Sequence, residues 1–108
     1  MDKYTYLENI LGENQELPPD SILSSSLMQT PHARAIMFHF AAGQELSEHT
    51  SAKPALLHFL SGEAEVTLGG DTKSAGPNTF IYMEPHLPHT IVANTPVSML
   101  LIMIEAGK

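Results

Sequence analysis

From Ser21 onward the chain is a succession of short apolar or alternating segments, each closed by Gly, Pro, Asn or Ser. Such punctuation, recurring about every eight to twelve residues, is the pattern of an all-β sandwich or barrel. The segments predict strands over 22–28, 35–41, 55–60, 63–68, 79–83, 89–93 and 98–104. The alternation is complete in Glu63-Ala64-Glu65-Val66-Thr67-Leu68, where Ala64, Val66 and Leu68 share one face and both glutamates share the other with Thr67. Gly69-Gly70-Asp71 then closes a hairpin. The segments from Ala55 to Leu60 and from Met99 to Ile104 are apolar at nearly every position, so both of their faces need cover. In so small a chain that second cover is expected from another subunit, which makes a homodimer the expected assembly.

The first twenty residues read differently. Thr5 as N-cap, Glu8 three positions later and Gly12 as a stop predict one short helix over 5–12, with Leu7, Ile10 and Leu11 as its apolar stripe. Pro18-Pro19 forces the chain out of the helix. The expected organisation is therefore a helix and linker over 1–20, followed by a single β-barrel domain over 21–108.

Composition narrows the function. A chain of 108 residues is one domain's worth and buries enough surface for one core. With no cysteine there is no disulfide framework, thiolate metal site or cysteine nucleophile. Twelve acidic side chains against five basic ones, a formal charge of −7, argue against a nucleic-acid partner, because phosphate binding draws on clustered Lys and Arg. The longest aliphatic run, Met99 to Ile104, is far too short to cross a bilayer, and Asp2, Glu8 and Glu13 interrupt what would be a secretory signal. A cytoplasmic location, with neither membrane nor nucleic acid as partner, is the expectation. Six histidines outnumber lysine and arginine together, and they are the only strong metal ligands besides carboxylates.

Two stretches place some of those histidines in a pattern. Gly43, then His49 six residues later, then Gly62, have the spacing of the first motif of the cupin superfamily: Gly, five residues, His-x-His, three residues, Glu, six residues, Gly. Asn78 to His89, ending in Pro88-His89, resembles the second cupin motif, and the hairpin at 69–71 lies between them as it does in cupins. The resemblance covers nearly everything from Ile22 to Ile104 and implies a double-stranded β-helix, a jelly-roll barrel, preceded here by the short N-terminal helix. In metal-binding cupins, two histidines and a glutamate of the first motif and one histidine of the second hold a divalent ion inside the barrel.

Carried over residue by residue, His49 and His89 stand at two ligand positions, whereas Ser51 stands where the second histidine belongs and Ala55 where the glutamate belongs. A tight divalent site has three or four protein ligands, and a redox iron site has two histidines and a carboxylate. The implied cofactor, one ion of iron, manganese, nickel or zinc, is thus expected to be held weakly or not at all. His49, Ser51, Ala55, Phe59, Tyr82 and His89 are the candidate pocket residues. His86, at an inner glycine position of the motif, reads first as a turn residue that tolerates the left-handed backbone, as Asn78 does. His58 lies three residues after Ala55 and so on the opposite strand face; it is a pocket residue only if a bulge intervenes. His39 lies on the face opposite Phe38 and Phe40, and His32 is a loop residue. The methionines Met37, Met83, Met99 and Met103 fall within strands, where core filling explains them.

Ser51 beside His49 lacks the third orienting group of a nucleophilic triad, and Gly69-Gly70 lacks the helix and lysine of a phosphate loop. The leading expectation is a small-molecule-binding or sensing cupin with an incomplete metal site. The alternative is a metal-dependent enzyme of dioxygenase, isomerase or decarboxylase type using His49 and His89. A metal-independent, sugar-epimerase-like reading would employ Tyr82 as acid, but no His and Tyr pair has a matching spacing.

Overall fold

The computed structural model describes residues 3–12 and 17–105. Among them the chain forms the strands β1 (Ile22–Gln29), β2 (Ala33–Phe40), β3 (Glu45–His49), β4 (Ala55–Ser61), β5 (Ala64–Leu68), β6 (Asp71–Ala75), β7 (Phe80–Met83), β8 (His89–Ala93) and β9 (Val97–Ile104). Every strand expected from the alternation forms, with its ends within two residues of expectation. Those not expected, β3 and β6, have polar sequences, ELSEH and DTKSA, and lie at the two edges of their sheet, where pairing supplies what side-chain pattern does not.

One sheet has the order β1-β2-β9-β4-β7 and the other β3-β8-β5-β6, with every pairing antiparallel. Between the sheets lies the core, in which Phe40, Leu57, Phe59, Val66, Ile91 and Met99 are fully buried. Its alternation follows the pleat. In β4, Ala55, Leu57 and Phe59 point inward, while Leu56 and His58 point outward. In β8, His89, Ile91 and Ala93 are the buried positions.

The expected helix over 5–12 is absent. Residues 10–11 make a single turn, closed by the Gly12 N–H donating to the Asn9 carbonyl at 3.3 Å, and the Asn9 side chain accepts from Leu11 N–H at 3.2 Å. Eight residues are too few for a helix to stand without tertiary support. That support is missing, since Leu7 and Leu11 are 44% and 47% exposed, and Asn9 offers the backbone a competing turn. Instead, Asn9 to Gly12 and Leu17 lie across the outer face of β1 and β2. A cavity of about 720 Å³ sits beneath them, bordered by Leu23, Leu27, Met37, His39 and Ser98.

Gly62 holds the tight passage from β4 to β5 at φ 89°, and a Cβ there would run into the Pro96 carbonyl oxygen and lie 2.8 Å from Val97 Cα. Both obstacles are backbone, so neither can rotate away. Gly62→Ala is expected to destabilise the fold by more than about 2 kcal/mol, the combined effect of left-handed strain and backbone clash. Urea unfolding followed by circular dichroism checks this, with an unchanged midpoint as the contrary result.

Candidate functional site at one end of the barrel

The connections 40–45, 61–64, 75–80 and 93–97 all cross between the sheets at one end of the barrel. The connections 49–55 and 83–89 cross at the other. That second end, the mouth, gathers the motif positions. Ala55 pairs with Met83 and Met103, and Met103 pairs with Arg34, so these residues form one row across the larger sheet. His89 pairs with His49 and with Leu68 in the facing sheet.

The pairing of His49 with His89 depends on an irregularity. Leu46 stands opposite Ile91, and an extra residue between Leu46 and His49 shifts the register before His49 meets His89. Without that bulge, Glu48 would occupy the place opposite His89. Sequence alternation alone does not locate it.

His89 is 7% exposed, and its Nδ1 lies 2.9 Å from the Leu87 carbonyl oxygen. A carbonyl can only accept, so Nδ1 carries a proton and donates it to Leu87. Ser51 lies beyond the end of β3, in the loop. Its hydroxyl accepts from Lys53 N–H at 3.1 Å, and its carbonyl accepts from His86 N–H at 2.6 Å. It therefore serves the loop's own architecture. Ala55 is buried at the start of β4 and offers no donor atom; Phe59 is completely buried, deeper along the same strand. Among the described residues no group of three or more His, Asp and Glu is placed to hold a metal ion. By their chemistry the four motif positions offer two imidazoles, one hydroxyl and no carboxylate, which does not fit the three or four strong donors of a tightly bound divalent ion.

Other candidates separate from the mouth. Tyr82 was expected in the pocket, but β7 alternates with Met83 and Ile81 inward and leaves Tyr82 on the outer face, 51% exposed. His58 is also outward, its ring edge-on to Phe80 with 6.3 Å between centroids. His86 is exposed with φ 69°, and Asn78 has φ 73°, both in the left-handed turn conformations read from the sequence. His39 Nδ1 lies 2.9 Å from Ser98 Oγ on the outer face, and His32 is exposed in a loop. The barrel interior expected to hold a ligand around Phe59 is filled by core side chains, which confines ligand contact to the mouth.

One mouth residue was not singled out from the sequence. Arg34 shares the inward face of β2 with Phe38 and Phe40, whose rings lie 6.1 Å apart, and its Nε is buried without a hydrogen-bond partner. The signal was present: Arg34, Ile36, Phe38 and Phe40 have one parity, and alternation assigns a charge to the inner face.

A two-sheet antiparallel jelly roll with a histidine-bearing mouth defines the class. The family model described as "Cupin domain" matches residues 36–105, and the chain belongs to that family. A cupin superfamily protein from Desulfitobacterium hafniense is 26% identical, with 85% of this chain and 84% of that one covered and a TM-score of 0.80. A conserved protein of unknown function from Streptococcus pyogenes is 27% identical, with 99% and 100% covered and a TM-score of 0.77. The salicylate 1,2-dioxygenase of Pseudaminobacter salicylatoxidans shares the fold at 14% identity and a TM-score of 0.73, with 87% of this chain matching 29% of the enzyme. No curated protein matches the chain.

The outward placement of Tyr82 has a titration consequence. Its phenol is held above the ordinary 10.0 by local desolvation, by the negative charge of Glu84 and by the 3.4 Å hydrogen bond it donates to Glu84. Glu84→Gln is expected to bring that titration back toward 10.0. Ultraviolet difference titration, with Tyr82→Phe to assign the step, checks it; a titration unmoved by Glu84→Gln is the contrary result.

Proposed function

We propose that this cupin binds a small organic molecule at the mouth of its barrel, without a tightly held metal ion. The observation that carries the reading is the fate of the motif positions. Ala55 offers no donor where a carboxylate would stand, and the Ser51 hydroxyl is engaged by Lys53 N–H. Two imidazoles alone bind a divalent ion weakly. What remains is a mouth with few polar groups, among them His89 with its Nδ1–H donated to the Leu87 carbonyl, in apolar surroundings of Met83, Leu87 and Met103. That mixture suits recognition of a small molecule by shape and a few directed contacts. A metal-dependent reaction retains only the register pairing of His49 with His89 in its favour.

The assembly proposed with it is a homodimer. The N-terminal segment covers the β1–β2 side of the larger sheet, leaving the outer faces of β4, β9 and β7. There Leu56, Leu100 and Ile102 lie half-buried beside Phe80 and Tyr82, which are 63% and 51% exposed, and His58 is the only basic side chain. The strands of this face carry no carboxylate, and Glu84 at its rim is hydrogen-bonded to Tyr82, so a chain of net charge −7 has here an apolar surface on which a like-charged copy can dock.

Protein purified without an affinity tag is expected to contain metal well below one ion per chain, at a level unchanged by His49→Ala, and native mass spectrometry is expected to reveal a bound small molecule. A stoichiometric metal lost in His49→Ala would overturn this reading. In solution the protein is expected to sediment as a dimer at micromolar concentration, and Leu100→Glu to yield monomers. A wild-type monomer would remove the proposed assembly.

A further inference from the structure

We infer that Arg34 makes the barrel mouth a site for an organic carboxylate, which names the ligand class of the small-molecule reading above and rests on it. Arg34 is the sole arginine of the chain. It lies on the inward face of β2, in the row that runs through Met103 and Ala55 to Met83, at the end of the barrel where His89 begins β8.

Its position is costly, and with Nε buried its terminal N–H groups are the ones that meet a ligand. The Nε is buried and has no hydrogen-bond partner, and a buried donor left unpaired forfeits the hydration it had in the unfolded chain. Among the described residues the one ion pair is elsewhere. Lys53 Nζ lies 2.8 Å from one oxygen of Glu105 and 2.9 Å from the other. Glu105 lies two residues beyond Met103, the cross-strand partner of Arg34, and Lys53 already occupies both of its oxygens. Among the described residues, then, no carboxylate is ion-paired with the guanidinium, a cation at the mouth.

The chemistry that satisfies such a group is specific. A guanidinium presents parallel N–H donors that match the two oxygens of a carboxylate, and the charge-assisted pair is stronger than one between neutral groups. The neighbours on its row are Met103, Ala55 and Met83, with Leu87 in the loop above, so the rest of the ligand meets apolar surface. A monocarboxylate with an apolar body fits both requirements.

A sole arginine gives one Nε–Hε cross-peak in a proton–nitrogen NMR spectrum, which makes the test direct. Benzoate and butyrate, titrated into the wild-type protein, are expected to move that peak saturably, whereas benzamide, butyramide and chloride at matched ionic strength leave it in place. Arg34→Met is expected to weaken binding of the same carboxylates by tenfold or more, read from the Ala55 and Met83 methyl signals. Should Arg34→Met fail to fold, Arg34→Lys keeps the charge, loses the fork, and is expected to weaken binding about tenfold. The inference is overturned if neither carboxylate moves the Arg34 peak, if the amides move it equally, or if the methyl signals respond alike in wild type and variant. In each of these cases the small-molecule reading stands or falls separately, on whether native mass spectrometry finds a bound molecule.

Discussion

The hydrogen bond from His86 N–H to the Ser51 carbonyl, 2.6 Å long, is the constraint on which the mouth of this barrel depends. It joins the only two loops that cross between the sheets at that end, 49–55 and 83–89, and each loop has a motif histidine at its root. To make it, His86 adopts a left-handed backbone that a non-glycine side chain tolerates at some cost, and histidine is among those that tolerate it best. Ser51 is held in turn by Lys53, whose N–H reaches the serine hydroxyl and whose ammonium pairs with Glu105 just past β9. Ile104 N–H adds a bond to the Pro54 carbonyl at 3.0 Å. Residues standing at ligand or turn positions of the family motifs have thereby become parts of a loop clamp. The central bond of the clamp is backbone to backbone and asks nothing of either side chain, while the hydroxyl at 51 satisfies the Lys53 N–H.

Much of this architecture is legible in the chain because inward positions and apolar residues coincide. Ala64, Val66 and Leu68 face the core as their alternation says, and so do Ala55, Leu57 and Phe59 in a strand whose pattern is apolar on both faces. What alternation cannot report is a change of register. β3 carries a bulge within polar sequence, and only cross-strand pairing reveals that His49 rather than Glu48 meets His89. The N-terminal segment fails for a different reason. Its capping residues are in place, but a cap contributes about 1 kcal/mol and a helix of two turns needs burial as well. Tyr82 lies outside the expected pocket because it shares the parity of Phe80, opposite to Met83, which puts it on the outer face of β7.

The histidine surplus resolves into separate duties once each ring is located. His39 meets Ser98 on the outer face, His58 lies edge-on to Phe80, and His86 shapes a turn. His32 contributes its carbonyl rather than its ring, accepting from Glu105 N–H at 2.9 Å beside the Lys53 pair. The filled core explains why these rings lie at the periphery. Phe40, Phe59, Met99 and their neighbours occupy the space between the sheets, and an imidazole there would need a partner for each of its nitrogens. Only at the mouth, where His89 finds the Leu87 carbonyl, is a buried ring both oriented and satisfied on its Nδ1 side.

The electrostatics of the mouth follow from one missing carboxylate. In metal-holding members of the superfamily the position of Ala55 bears a glutamate, and the site as a whole attracts a cation. Here the row across the larger sheet reads Arg34, Met103, Ala55, Met83, with a single charge, and that charge is positive. Strands in a sheet stand about 4.8 Å apart, so Arg34 and Ala55, two strands away from each other, are separated by about 10 Å between backbones. An arginine side chain spans most of that gap. A glutamate at 55 would therefore compete with any incoming anion for Arg34, while a divalent ion held there would repel the guanidinium at short range in a poorly hydrated space. Alanine at 55 and arginine at 34 are thus coherent as a pair in the proposed reading: with no carboxylate at 55 the row offers a cation no ligand and leaves Arg34 without a counter-charge on it, which suits an anion better than a cation.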